Sequence, residues 1–172
     1  MNIQICTDSI GDFTGDIIII PCDSDLTYKK EGIVGKVLDR GGQDLVRELS
    51  AIGYCEIGNT AIVKGYNLQT KNIIFMPIYD HIQDVGTNYI GLHQSLRNAF
   101  ILAELYEAKS VAIGSIKLPK IKKSIFEHLS DRLLGNKQHN SLDYSEIEDI
   151  IISISKDFEG SMIKNVAIYR YH

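Results

Sequence analysis

A chain of 172 residues that is 44% hydrophobic and 23% charged, with only three prolines, is neither a disordered nor a low-complexity segment, and its length suits one domain over residues 1–172. Its formal net charge of −4 excludes a general attraction to nucleic-acid phosphates, although small polyanionic ligands stay open. The longest purely apolar runs, residues 17–20 and 150–152, fall far short of the roughly 20 residues that cross a bilayer, so no membrane contact is expected.

The chain opens MNIQICTDS, without a basic segment followed by an apolar stretch, so a signal peptide is not expected. Cys6, Cys22 and Cys55 are odd in number and lack metal-ligand spacing. They read as reduced thiols, which places the chain in the cytoplasm and argues against a disulfide framework or a zinc site.

Residues 2–7 alternate weakly and predict a short first strand. Residues 16–22 (DIIIIPC) form a near-continuous β-branched run that predicts a strand buried on both faces and stopped by proline. Ile33, Val34, Val37 and Leu38 lie at helical spacing within residues 32–42, and Gly41-Gly42 breaks that helix. A second helical piece covers residues 43–51 through Leu45, Val46 and Leu49, and strands are predicted at 60–64 and 72–77. The strongest helix signal is residues 91–108, where Leu92, Leu96, Ala99, Ala103 and Tyr106 form one stripe. A strand at 110–114 follows. Ile121, Ile125, Leu129 and Leu133 then mark a helix ending at Gly135. Ser145 with Glu148 predicts a capping box ahead of Ile147, Ile150, Ile151, Ile154 and Phe158, and Asn165–Tyr169 closes the chain as a strand. Apolar strands alternating with amphipathic helices predict a layered α/β domain, whose ligand cleft is expected beyond the carboxyl ends of the strands.

Several segments in order resemble the macro domain family (ADP-ribose-binding, Appr-1''-p processing-like). DIIIIPCDSDL matches the strand that ends there in Asn-Ala-Ala-Asn. GIVGKVLDRGGQDL resembles the glycine loop and following helix, CEIGNTAIVKGYNLQTKNIIFMP the Lys-Gly-Tyr-Asn-Leu region, and YIGLHQSLRNAFILAELYEAKSVAIGSI the long helix and next strand. More distantly, the chain is similar to the macro-like N-terminal domain of leucyl aminopeptidases, without a peptidase half. The resemblance implies a three-layer α/β/α fold with a mixed central sheet, and a cleft for ADP-ribose or an ADP-ribosyl derivative, free or on a protein.

By that resemblance Asp8, preferred over Asp12, accepts a hydrogen bond from the adenine amino group. An ionised carboxylate only accepts, which selects an exocyclic amine. Gly32, Ile33, Val34 and Gly35 correspond to the diphosphate loop, where glycine lets backbone amides approach an anion. Ser115, Ile116 and Lys117 correspond to the second phosphate loop. Asp23 replaces the motif's final asparagine. It is the weak candidate for a catalytic base, against the bland reading that Asp23 and Asp25 cap their own loop.

Ile20 and Pro21 also depart from the motif. Residues 28–31 (YKKE) replace a glycine run, and residues 117–120 (KLPK) replace the glycines of the second loop. The expectation is therefore binding, with weak or absent hydrolysis. The enzymatic alternative is an ADP-ribosyl hydrolase or deacylase. A second alternative is a diverged macro-like module that has lost nucleotide binding and serves interaction or regulation. No cofactor is expected. The spacing of His81, His93, His128 and His139 supports no metal site, and Ser115 and Ser124 lack a neighbouring base. The lysines at 117, 120, 122 and 123 read as a solvated face unless an anion sits at the helix start.

Overall fold

The isoleucine run at residues 17–20 sets the architecture. Successive strand side chains point to opposite faces, so Ile17 and Ile19 enter one core while Ile18 and Ile20 enter another, all at 1% exposure or less. Burying an isoleucine contributes about 1.5–3 kcal/mol, which commits this strand to a central position covered on both sides.

The computed structural model describes residues 1–28, 32–118 and 143–170. Its strands are β1 (Asn2–Cys6), β2 (Ile17–Asp23), β3 (Ala61–Lys64), β4 (Asn72–Asp80), β5 (Val85–Gly86), β6 (Ser110–Ile113) and β7 (Asn165–Tyr169). They form one mixed sheet in the order β1-β7-β6-β2-β4-β3. All neighbours along the β1-to-β4 path are parallel, whereas β3 and β5 pair antiparallel with β4. Helices α1 (Ile33–Gly41) and α2 (Gln43–Ile52) cover the face of Ile18 and Ile20 through Val37, Leu38, Leu45 and Leu49. Helices α3 (Tyr89–Leu105) and α4 (Tyr144–Asp157) cover the other face through Leu92, Leu96, Ile147 and Ile151. This is the expected three-layer α/β/α arrangement.

Four local expectations are corrected. Pro21 does not stop β2, and Pro77 does not stop β4, which runs on to Asp80 and pairs there with β5. Each proline sits where one flanking strand has already ended, β6 at Ile113 beside Ile19 and β3 at Ala61 beside Phe75. There a missing N–H is tolerated. Helix α4 is capped by Asp143, not Ser145: its carboxylate accepts from the Glu146 N–H at 2.9 Å, and Glu146 accepts from the Asp143 N–H at 2.8 Å. Two overlapping box patterns compete in this sequence, and the aspartate starts the helix two residues earlier while leaving the isoleucine face unchanged. Tyr106 follows the end of α3 and is half-exposed, outside the buried stripe. The helix predicted over 121–135, with Lys120, Lys122 and Lys123, lies outside the described residues, as do Ser124, His128 and His139.

At the amino end of β2, Asp16 joins three chain segments. Its carboxylate accepts from the Lys109 N–H (2.8 Å), the Ser110 N–H (3.0 Å) and the Ser110 hydroxyl (3.1 Å), and it pairs with Lys71. Burial acts to raise its pKa. The Lys71 ammonium and the Lys109 and Ser110 donors outweigh that and hold the carboxyl down at about 2. The opposite, carboxyl end of β2 is thereby left to the site.

Candidate functional site

Because β1, β7, β6, β2 and β4 run parallel, their carboxyl ends share one edge of the sheet. A cleft opens there, walled by the loop after β1 (Thr7, Asp8, Ser9, Ile10, Gly11), by α1 (Ile33, Lys36, Val37, Arg40), by Ser115 after β6 and by Tyr169 and Arg170 at the end of β7. This is the crevice position at which such sheets hold ligands.

Three features fix its walls. Arg40 pairs with Asp12 and reaches the Ser9 hydroxyl, which ties the β1 loop to α1. Gly114 has no side chain because Ile33 packs against it: a Cβ would lie 2.8 Å from the Ile33 Cδ1 and 3.3 Å from the Pro21 Cδ. The first residue of α1 is thus seated over the ends of β6 and β2. Arg170 forms a two-point pair with the buried Glu148 of α4, at 2.6 and 2.8 Å. The Arg170 guanidinium holds the Glu148 carboxyl below its ordinary value against the opposing effect of burial.

The cleft combines an acceptor with helix-end amide donors that no described side chain caps. Asp8 is exposed and stands beside Tyr169, whose phenol is pushed up to about 12 by burial and by the neighbouring Cys6 and Asp8, so it stays a donor at neutral pH. Helix α1 is entered through Gly32 with φ of 142°, a conformation suited to glycine, and among the described residues no side chain caps its first turn. A Cβ built on Gly32 or Gly35 meets nothing within 4 Å among the described residues, which leave the space over this helix end open. Amides and dipole here favour an anion.

Of the residues singled out from sequence, Asp8, Ile33 and Ser115 line the cleft. Gly32, Val34 and Gly35 belong to the same helix end without forming the wall. Ile116 is buried in the core, Lys117 is exposed, and neither lines the cleft. Lys36, Arg40, Tyr169 and Arg170 were missed. The first two follow from the α1 periodicity on its polar side, whereas the β7 residues join the site only through strand order.

Asp23 stands further along the same edge, buried, with both carboxylate oxygens engaged. Oδ1 accepts from the Asp25 N–H (2.9 Å) and from the His81 Nδ1 (2.9 Å), and Oδ2 accepts from the His81 N–H (3.0 Å). The Asp23 carboxylate therefore caps its own loop, as the bland reading held, and also holds a histidine 58 residues away. The His81 ring stacks on Tyr28, with centroids 3.9 Å apart and planes 10° from parallel. Burial pushes the Cys22 thiol well up, and Cys55 also rises, so neither is a ready nucleophile.

A family model described as Macro domain matches residues 20–126. Among solved structures, the chain is similar to the macro domain of ganglioside induced differentiation associated protein 2 (18% identity, TM-score 0.72, covering 98% of this chain and 76% of that one). It is also similar to the Trypanosoma brucei macrodomain in complex with ADP-ribose (16% identity, TM-score 0.71, 98% of this chain and 63% of that one). The Oceanobacillus iheyensis macrodomain with ADP is a third such structure (18% identity, TM-score 0.69, 98% and 82%). At these identities the likeness establishes the fold. No curated protein matches the chain in sequence. No helix among the described residues is long and apolar enough to cross a membrane.

Proposed function

The chain belongs to the macro domain family, and we propose that its cleft binds ADP-ribose or a related ADP-ribosyl derivative. One observation carries the reading: an exposed carboxylate, Asp8, and the uncapped amino end of α1 meet in one cleft at the carboxyl edge of the sheet. In this reading Asp8 accepts from the adenine amino group. The amides of Ile33, Val34 and Gly35, begun by Gly32, meet the diphosphate, and the loop of Ser115, Ile116 and Lys117 closes on it from β6. The ADP and ADP-ribose in the trypanosomal and Oceanobacillus structures support this choice of ligand.

Binding is placed before cleavage. The position of the motif's final asparagine is held by Asp23, whose oxygens are already engaged, so the family's usual groups for positioning water are not available at that residue.

Calorimetric titration tests the reading. Wild-type protein is expected to bind ADP-ribose with micromolar affinity. Asp8→Ala should weaken it by about 1.5–3 kcal/mol, or roughly 10- to 150-fold, the cost of losing a hydrogen bond to a charged acceptor. Absence of heat and of any thermal shift at millimolar ADP-ribose would refute binding, and would leave an interaction module that has lost its nucleotide.

A further inference from the structure

The walls of the cleft are cationic although the chain as a whole is acidic. Among the described residues they hold Lys36, Arg40 and Arg170 against a single carboxylate, Asp8, in a protein whose formal net charge is −4. Glu148 meets Arg170 at two points, and Asp12 pairs with Arg40 at 2.5 Å. A guanidinium has five N–H donors, and the described residues draw on Arg40 only toward Asp12 and, at 3.5 Å, toward Ser9, so the fork keeps donors for a further acceptor. Lys36 is exposed one turn before Arg40 on the same wall and brings an ammonium on a flexible stem. Neither the adenine contact of Asp8 nor the amides of the α1 start calls for these two cations.

Helix α1 measures where they fall along a bound nucleotide. Its first residue, Ile33, is seated against Gly114 over the ends of β6 and β2. Its second half lies against the β1 loop: Arg40 reaches Ser9 and Asp12, and a Cβ on Gly11 would lie 2.8 Å from the Arg40 Nη1. Asp8 belongs to that loop. Ile33, Lys36, Val37 and Arg40 share one wall at helical spacing, so Lys36 stands about 4.5 Å along the axis from Ile33 and about 6 Å short of Arg40. A nucleotide with its diphosphate at the helix start and its base at Asp8 has its adenine-side ribose between them, alongside Lys36. The 2′ and 3′ hydroxyls are the positions of that ribose open to a further substituent.

We infer that the cleft takes adenine nucleotides and ADP-ribosyl ligands carrying a further phosphate monoester on the adenine-side ribose, with Lys36 as its partner and Arg40 beside it. The inference rests on the binding reading above. Such a phosphate bears nearly two negative charges at neutral pH and three acceptor oxygens, which suits an ammonium and a guanidinium that neighbour each other on one helix face. A hydroxyl in the same place draws on neither charge. The two cations therefore distinguish a phosphorylated ribose from a plain one.

Calorimetry tests this by comparing ADP-ribose with its 2′-phosphate, and adenosine 5′-phosphate with the 2′,5′- and 3′,5′-bisphosphates, which separate the two hydroxyls. Wild type is expected to bind a phosphorylated ligand at least about 10-fold more tightly than its parent, the low end for a charge-assisted hydrogen bond because both cations are exposed. That preference should shrink in high salt, and also as pH falls through about 6, where the phosphate takes up its second proton. Lys36→Ala should abolish the preference, Lys36→Glu should invert it, and Lys36→Arg should keep it, with melting temperatures confirming that each variant is folded. The readout is the ratio of the two affinities, so a general weakening of nucleotide binding does not imitate the effect. Equal affinities in wild type, or a preference that survives Lys36→Glu, overturn the inference and leave ADP-ribose binding standing. No heat with any of these ligands removes both readings.

Discussion

Replacing Asp16 by asparagine should destabilise the fold without touching the ligand. The folded carboxyl sits at about 2 against an ordinary 3.8, a gap that corresponds to about 2 kcal/mol; solvent on its Lys71 side screens part of this, leaving about 1–2 kcal/mol. The value is depressed in the folded state, so the contribution is fully present above 3.8. It shrinks as pH falls toward 2 and is gone below that. Most of it comes from Lys109 N–H, Ser110 N–H and the Ser110 hydroxyl, because the Lys71 side chain is 77% exposed. Lys71→Ala should therefore be nearly silent while Asp16→Asn lowers the melting temperature by roughly 2–8 °C at pH 7. Urea unfolding of the three proteins from pH 7 to pH 2 measures this. The seven residues of β2 put roughly 20 Å between Asp16 and the cleft edge, so ADP-ribose affinity should not change. A wild-type advantage below about 0.5 kcal/mol at pH 7, or one that stays constant down to pH 2, would refute the reasoning.

Gly32→Ala forces an L residue to φ of 142° and should cost about 1–3 kcal/mol in chemical unfolding. Gly35→Ala, in open space within α1, should leave stability unchanged or raise it by up to about 1 kcal/mol, yet lower ADP-ribose affinity by crowding the diphosphate. With the glycines of the second loop gone, Lys117, exposed and outside the cleft wall, is the described candidate to replace their amides by charge. Lys117→Ala should weaken ADP-ribose, shrink its salt dependence and leave adenosine unaffected, and equal affinities in a paired titration at low and high salt would return this lysine to a solvated face. Glu148→Gln breaks the two-point pair with Arg170. Since the Glu148 carboxyl is depressed, the melting temperatures of wild type and variant should differ at neutral pH and converge as pH falls through the lowered value.

The sequence by itself determined what depends on neighbours along the chain. The isoleucine run made β2 central, helical spacing placed α1, α2 and α3 within a few residues, and the order of motifs identified the family and pointed to Asp8 and the α1 start. Even the misplaced cap of α4 was a local contest, between boxes beginning at residues 143 and 145. Tertiary structure alone decided what depends on strand order. Pro21 and Pro77 remain inside strands because β6 and β3 end beside them, a fact no local window contains. Tyr169 and Arg170 reach the cleft because β7 inserts between β1 and β6, and Asp23 meets His81 because β2 and β4 are parallel neighbours joined by a long crossover. Periodicity records which face a side chain presents. Which distant side chain it meets there is set by sheet register, and register is fixed only when both cores close around β2.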